Sequence, residues 1–296
     1  MKKKQSHLNT VILLAILFAG LFLLVYPTAA DYWNSFHQSR AISDYAEEVR
    51  SIKDDEYDRL LADADAYNRT LPDKPNRYVL TEEERERYNS LLNISGNGII
   101  GYIEIAAIGV SLPIYHGTDE AVMEIAVGHI EGTSLPVGGP DTHAVLSSHR
   151  GLQSARLFTD LDKLVEGDEF VIRVLDETLT YEVDQIRIVL PHELDALAFE
   201  EGQDLCTLVT CTPYGINTHR LLVRGHRVAN GEKAGMARVT ADAIQVEPLL
   251  AAVFMALPVL LILLIILLIP RRRKRETDDY AEGDYEDLII DDNEEM

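Results

Sequence analysis

Thr207-Leu-Val-Thr-Cys211-Thr-Pro-Tyr-Gly-Ile-Asn-Thr-His-Arg220-Leu-Leu-Val-Arg-Gly225 is the stretch on which the reading of the chain turns. Its first five residues are an apolar, β-branched run that reads as a strand. Pro213 and Gly215 then supply turn chemistry. Leu221-Leu-Val resumes as a second short strand bounded by Gly225. A cysteine therefore ends one strand and an arginine opens the next. If the loop lays the strands side by side, thiol and guanidinium share one end of a sheet. A cation beside a thiol favours the thiolate, which is the nucleophilic form. By residue type alone, a free cysteine is a small buried hydrophobe and a lone arginine a solvated surface residue. The strand–turn–strand context gives both another use. Cys206 sharpens the argument. Five strand residues separate it from Cys211, or about 16 Å at roughly 3.3 Å per residue, whereas a disulfide needs Cα atoms within about 7 Å. Odd spacing also places the two side chains on opposite faces. The pair is thus expected to stay reduced, with Cys206 buried and Cys211 in use.

Further segments carry a resemblance. They are Gly101-Tyr-Ile-Glu-Ile, Leu112-Pro-Ile-Tyr-His-Gly-Thr118, Gly128-His-Ile-Glu-Gly-Thr-Ser-Leu-Pro-Val-Gly-Gly139 and Ser148-His-Arg-Gly151. Together with the cysteine strand they resemble a sortase over roughly residues 90–230. The long form of the cysteine motif is similar to that of class C, the pilin-polymerising sortases. The resemblance implies a mainly β chain built on a closed eight-stranded sortase-type β-barrel with short helices. It implies Cys211 as nucleophile, with His149 and Arg220 as its catalytic partners, and no cofactor or metal. It also implies a cysteine transpeptidase that cleaves an LPxTG-like sorting signal between Thr and Gly. The resulting thioacyl enzyme would be resolved by an amine, in class C a pilin lysine. A housekeeping sortase acting on a cell-wall precursor amine is the nearest alternative, and a non-catalytic membrane scaffold the more distant one.

The chain has 296 residues and a formal net charge of −22, which argues against a nucleic-acid partner. Met1-Lys-Lys-Lys precedes an apolar run over residues 11–30. A cleaved leader and an uncleaved anchor both fit it, and its length favours the anchor. From Asp31 to Asn68, apolar residues recur at three- to five-residue steps, the pattern of a helix with a break near Asp54. Residues 71–77 read as a loop. Thr81-Glu-Glu-Glu84 reads as a capping box on a short acidic helix. Residues 31–96 thus form a helical stalk and possible lid, and residues 97–230 the catalytic barrel. Within the barrel the expected strands are Ile99–Ile108, Ala144–Ser147, Glu169–Val174, Thr178–Leu190, Leu205–Thr210 and Leu221–Val228. The expected helices are Ala121–Val127 and Gln153–Leu164. Residues 231–247 read as a linker and 248–270 as a second transmembrane helix. Residues 271–296 read as a basic, then acidic, cytoplasmic tail. Positive residues outside both spans place both termini in the cytoplasm and the barrel outside, as a multi-pass protein of the cell membrane.

The residues alone leave choices open at the site. His149 and His143 flank one strand and compete as proton donor; the family motif selects His149. Arg224 shares a strand face with Arg220 and competes as oxyanion donor. His143, His149 and Cys211 lack the tight spacing of a metal set. Asn68-Arg-Thr70 and Asn93-Ile-Ser95 match the glycosylation sequon by pattern only. Class C members usually carry an Asp-Pro-aromatic lid before the barrel, and no such tripeptide occurs between Asp31 and Gly96. Asp73 and Tyr78 are the nearest substitutes, five positions apart, so a weak or absent lid is expected.

Overall fold

Short β-branched runs punctuated by glycine and aspartate bury one face each, and the chain closes them on themselves. The computed structural model describes residues 2–231, with side chains from Ile12 onward. The strands are β1 (Ile99–Ile105), β2 (Val110–His116), β3 (Val127–His129), β4 (Thr142–Ser147), β5 (Glu169–Val174), β6 (Glu177–Val189), β7 (Asp204–Thr212) and β8 (His219–Val228). They form a closed barrel in the order β1-β2-β3-β4-β7-β8-β6-β5. The β2–β3 and β4–β7 pairs are parallel and the rest antiparallel. Closure pairs the strands at both sides of the sheet and so removes its edges.

Two strands went unanticipated. β2 contains Pro113, which lacks the N–H that a ladder needs, and β3 is only three residues long. The helix expected over 121–127 is the single turn α4 (Glu120–Met123), because Val127 is drawn into parallel pairing with Ile114. The helix expected over 153–164 is not formed, and only Leu161–Lys163 makes a 3-10 turn. This segment is held instead by the Phe158 N–H donating to the His149 carbonyl at 3.1 Å and by ion pairs from Arg156 and Lys163 to Asp160.

The N-terminal half of the plan is helical. α1 (Lys2–Ser51) runs without interruption through the apolar segment into the stalk. Its most apolar window has a mean hydropathy of 2.4 and is not buried by the described residues. It breaks at Ile52–Lys53, and α2 (Asp54–Asn68) follows. α3 (Glu82–Ser90) opens on the capping box expected at Thr81 and Glu84. The expected second membrane helix at 248–270 and the tail at 271–296 lie outside the described residues.

The helices are integral to the core. Tyr88 of α3 is fully buried against His116 and His129. The Ser134 carbonyl can only accept, so His129 Nε2 carries the proton it donates at 2.8 Å. Nδ1 then accepts from the Tyr88 hydroxyl at 2.7 Å, which in turn accepts from the Gly117 N–H. Burial favours the neutral ring and pushes the His129 pKa down to about 4. Asn68 is spent in the same way. Its amide donates to the Leu135 carbonyl at 3.0 Å and accepts from the Leu135 N–H at 2.7 Å. A buried side chain so engaged is no glycan acceptor.

Candidate active site

Strand parity sorts β7 into two faces. Cys206, Leu208 and Thr210 point into the barrel. Cys206 is fully buried, and burial pushes its thiol pKa well up. Thr207, Val209 and Cys211 point outward. Both cysteines are free, and Cys211 alone is partly exposed. The antiparallel register sets Cys211 directly opposite Arg220, Val209 opposite Leu222, and Thr207 opposite Arg224. Opposed residues hold their Cβ atoms about 4.5–5.5 Å apart on the same face. On the other flank of β8, Val189 of β6 faces Arg220. β4 lies parallel to β7, with Ser147 beside Val209. The ladder continues one step further, where the Ser148 N–H donates to the Val209 carbonyl at 3.2 Å. The Thr210 hydroxyl donates back to the Ser148 carbonyl at 2.9 Å. This carries His149 to the end of the barrel where Cys211 and Arg220 sit.

The two loops that meet there are packed on each other. Gly151 has φ +81°, and a Cβ at that position would lie 3.0 Å from the Tyr214 ring. Tyr214 therefore rests directly on the His149–Gly151 turn. The Arg150 guanidinium lies 5.9 Å from the Tyr214 ring centre and pairs with Asp162. Arg150, Asp162 and Tyr214 brace the His149 loop and escaped the sequence reading, because no local spacing links residues so far apart.

The structure separates the competing residues. His143 is buried; its Nδ1 donates to the Ala198 carbonyl at 2.8 Å, so its Nε2 accepts from the Thr207 hydroxyl at 2.7 Å. Burial lowers its pKa. Both nitrogens are engaged, and the ring sits at the Thr207 end of the outward stripe. The His149 ring is half-buried and makes no hydrogen bond among the described residues. Arg224 spends its fork on Asp184, at 3.0 and 2.9 Å, and on Glu200 at 2.6 Å. Among the described residues, Arg220 meets no carboxylate. Its Nη1 touches only the Asn217 and His219 carbonyls, at 3.3 and 3.1 Å.

Between the two ends, Val145, Val209 and Leu222 form an apolar floor, against which Leu197 of the β6–β7 loop packs. Arg77 pins that loop from the stalk side. It donates to the Leu197 carbonyl at 2.8 Å and lies over the Phe199 ring at 4.1 Å. Tyr78 accepts from Arg77 at 2.8 Å. Asp73 is exposed, and its carboxylate has no partner among the described residues. Neither Asp73 nor Tyr78 bonds to Arg220 or Cys211. A weak lid is therefore expected: Asp73→Ala and Tyr78→Ala should change the labelling rate of Cys211 by a small thiol reagent less than about tenfold. An acceleration of a hundredfold would reveal a true lid.

Comparison with known proteins bears on the family and the fold. The family model of the sortase domain matches residues 103–228. Sortase C1 from Streptococcus agalactiae is 51% identical with a TM-score of 0.63, the match covering 65% of this chain and 100% of that one. Clostridium perfringens sortase C, solved with the C-terminal cell wall sorting motif, is 45% identical with a TM-score of 0.58 and coverage of 65% and 100%. Sortase D of Bacillus subtilis (strain 168) is 29% identical over 131 residues, covering 43% of this chain and 63% of that protein. The matches to it and to sortase A of S. agalactiae span less than two thirds of those relatives' length.

Proposed function

Since this chain belongs to the sortase family, we propose that it is a membrane-anchored cysteine transpeptidase of the class C, pilin-assembling kind. In this reading, Cys211 Sγ attacks the Thr–Gly carbonyl of an LPxTG-like sorting signal. The carbonyl carbon becomes tetrahedral, and the Arg220 fork donates to its oxyanion. Collapse breaks the peptide bond, with His149 protonating the departing glycine amine and leaving a thioester on Cys211. An incoming amine then repeats the steps in reverse. Its attack on the thioester expels the thiolate, and His149 takes the excess proton. A pilin lysine as that amine would leave an isopeptide bond between subunits.

The observation that carries this reading is the register pair Cys211–Arg220, with a guanidinium that no carboxylate among the described residues claims. Arg224, two repeats of the pleat away, is neutralised by Asp184 and Glu200 and supports the loop instead. The membrane anchor rests on α1, whose apolar window is not buried by any of the described residues. The multi-pass arrangement with both termini cytoplasmic rests on the second apolar segment and its basic flank, as sequence only.

The test is a competition between acceptors. The enzyme is given an LPxTG-like peptide together with a lysine-bearing pilin fragment and a cell-wall precursor amine. The expected product is the branched isopeptide to lysine, with release of the glycine-side peptide. Exclusive transfer to the precursor amine would move the assignment to a housekeeping sortase. Absence of cleavage would leave only the scaffold.

A further inference from the structure

The barrel has two ends, and α1 distinguishes them. The first residues after the apolar run are tied to the end that holds Cys211. The Asn34 amide donates to the Ser154 carbonyl at 2.8 Å, and Asp31 accepts from the Arg156 N–H at 2.8 Å. Both partners belong to the segment that follows His149. Gln38 donates to the Ile125 carbonyl at 2.7 Å, just before β3. Further along, Tyr45 donates to the Ile100 carbonyl and accepts from the Leu175 N–H, next to the β5–β6 turn at the opposite end. The helix therefore runs down the barrel wall from the Cys211 end to the far end. At about 1.5 Å per residue, Asn34 lies only about 6 Å beyond Ala30, the last residue of the apolar run.

Large apolar side chains stand exposed around this junction. Tyr32, Trp33 and Phe36 are 71%, 65% and 57% exposed. Trp33 and Ala41 help line a cleft of about 280 Å³ against Pro113, Tyr115 and Ile125. At the same end of the barrel, Ile188, Tyr214 and Ile216 stand exposed. Aromatic residues collect where a helix leaves the hydrocarbon, because their rings are apolar and their edges polar.

We infer that the Cys211 end of the barrel docks on the surface of the phospholipid bilayer, with Tyr32, Trp33, Phe36 and the exposed Ile125 and Ile216 as the contacting side chains. The occupant of this apolar face is the lipid interface itself, since α1 carries the face directly out of the membrane span. The site then opens along the bilayer surface, and an acyl donor held at that surface reaches Cys211 sideways. The inference rests on the membrane-anchored reading above, and the test separates the two.

Full-length protein is reconstituted in lipid nanodiscs. Trp33 is the single tryptophan of the chain and lies three residues past the apolar run, so it meets the interface in any anchored protein, docked or not, and its quenching by lipids brominated near the headgroup reads anchoring. Docking is read by a fluorophore at Ile216→Cys or, in a second protein, at Asp176→Cys, both in a Cys211→Ala background where Cys206 stays buried. β6 spans the length between these two sites, about 40 Å at roughly 3.3 Å per residue. Headgroup nitroxide lipids should quench the Ile216→Cys probe severalfold more than the Asp176→Cys probe. Ile125→Cys, on the β3 side, should behave like Ile216→Cys and guards against a local disturbance of the β7–β8 loop. If Trp33 is not quenched, anchoring fails and docking with it. If Trp33 is quenched but the two ends are quenched alike, or the far end more, the docking alone is overturned.

Discussion

Cys211→Ala is expected to abolish acyl transfer, whereas Cys206→Ala should keep most of it. Both cysteines lie on β7, yet parity puts Cys206 in the barrel core and Cys211 on the outward face opposite Arg220. Loss of a nucleophile removes the covalent route altogether; in a serine protease the comparable deletion costs on the order of 10⁶ in kcat. The Cys206 change removes only a buried sulfur, so the cost falls on stability through a small cavity. Mass spectrometry of enzyme trapped with a sorting-signal peptide should place the acyl adduct on Cys211. An adduct on Cys206 would sink the assignment.

Arg220→Lys is the second large effect. The substitution keeps the charge and loses the planar fork, so a drop in turnover tests donor geometry and not electrostatics. Losing one oxyanion donor typically lowers kcat about 10²–10³-fold. Arg224→Lys is the matched control. Its fork is already committed to Asp184 and Glu200, so the change should lower thermal stability and leave turnover within the same decade. Steady-state kinetics on both proteins, beside their melting temperatures, reads the contrast. A near-normal Arg220→Lys alongside an inactive Arg224→Lys would transfer the role to Arg224.

Local pattern carried a large part of this protein. The capping box at Thr81, the break after Ser51, the strand–turn–strand around Pro213 and the opposite facing of Cys206 and Cys211 all follow from residues within one or two turns of each other. Short-range sterics and hydrogen bonding decide such features, and they are legible in any window long enough to contain them. The unbroken apolar stretch of α1 is legible for the same reason.

Where two residues of one type competed, local spacing was silent and only the family resemblance chose. His143 and His149 flank one strand, and nothing local says which ring keeps its nitrogens free. That depended on Ala198 and Thr207, 55 and 64 positions away, which claim His143. Arg220 and Arg224 share a face, and Asp184 and Glu200 decide between them. β2 and β3 were missed because Pro113 and a three-residue length contradict local propensity, which pairing across the barrel overrides. The expected helix over 153–164 failed for the converse reason. Its backbone found better partners in the His149 carbonyl and in α1. By itself, then, the sequence determined the strand that bears Cys211, the faces of its two cysteines and the helix that enters from the apolar run. Only the tertiary structure showed that His143 and Arg224 are tied up by distant partners, whereas Cys211 lies opposite Arg220. That arrangement rests on the parallel register of β4 on β7, with Ser147 beside Val209, and such long-range pairing is set by barrel closure and packing rather than by neighbours along the chain.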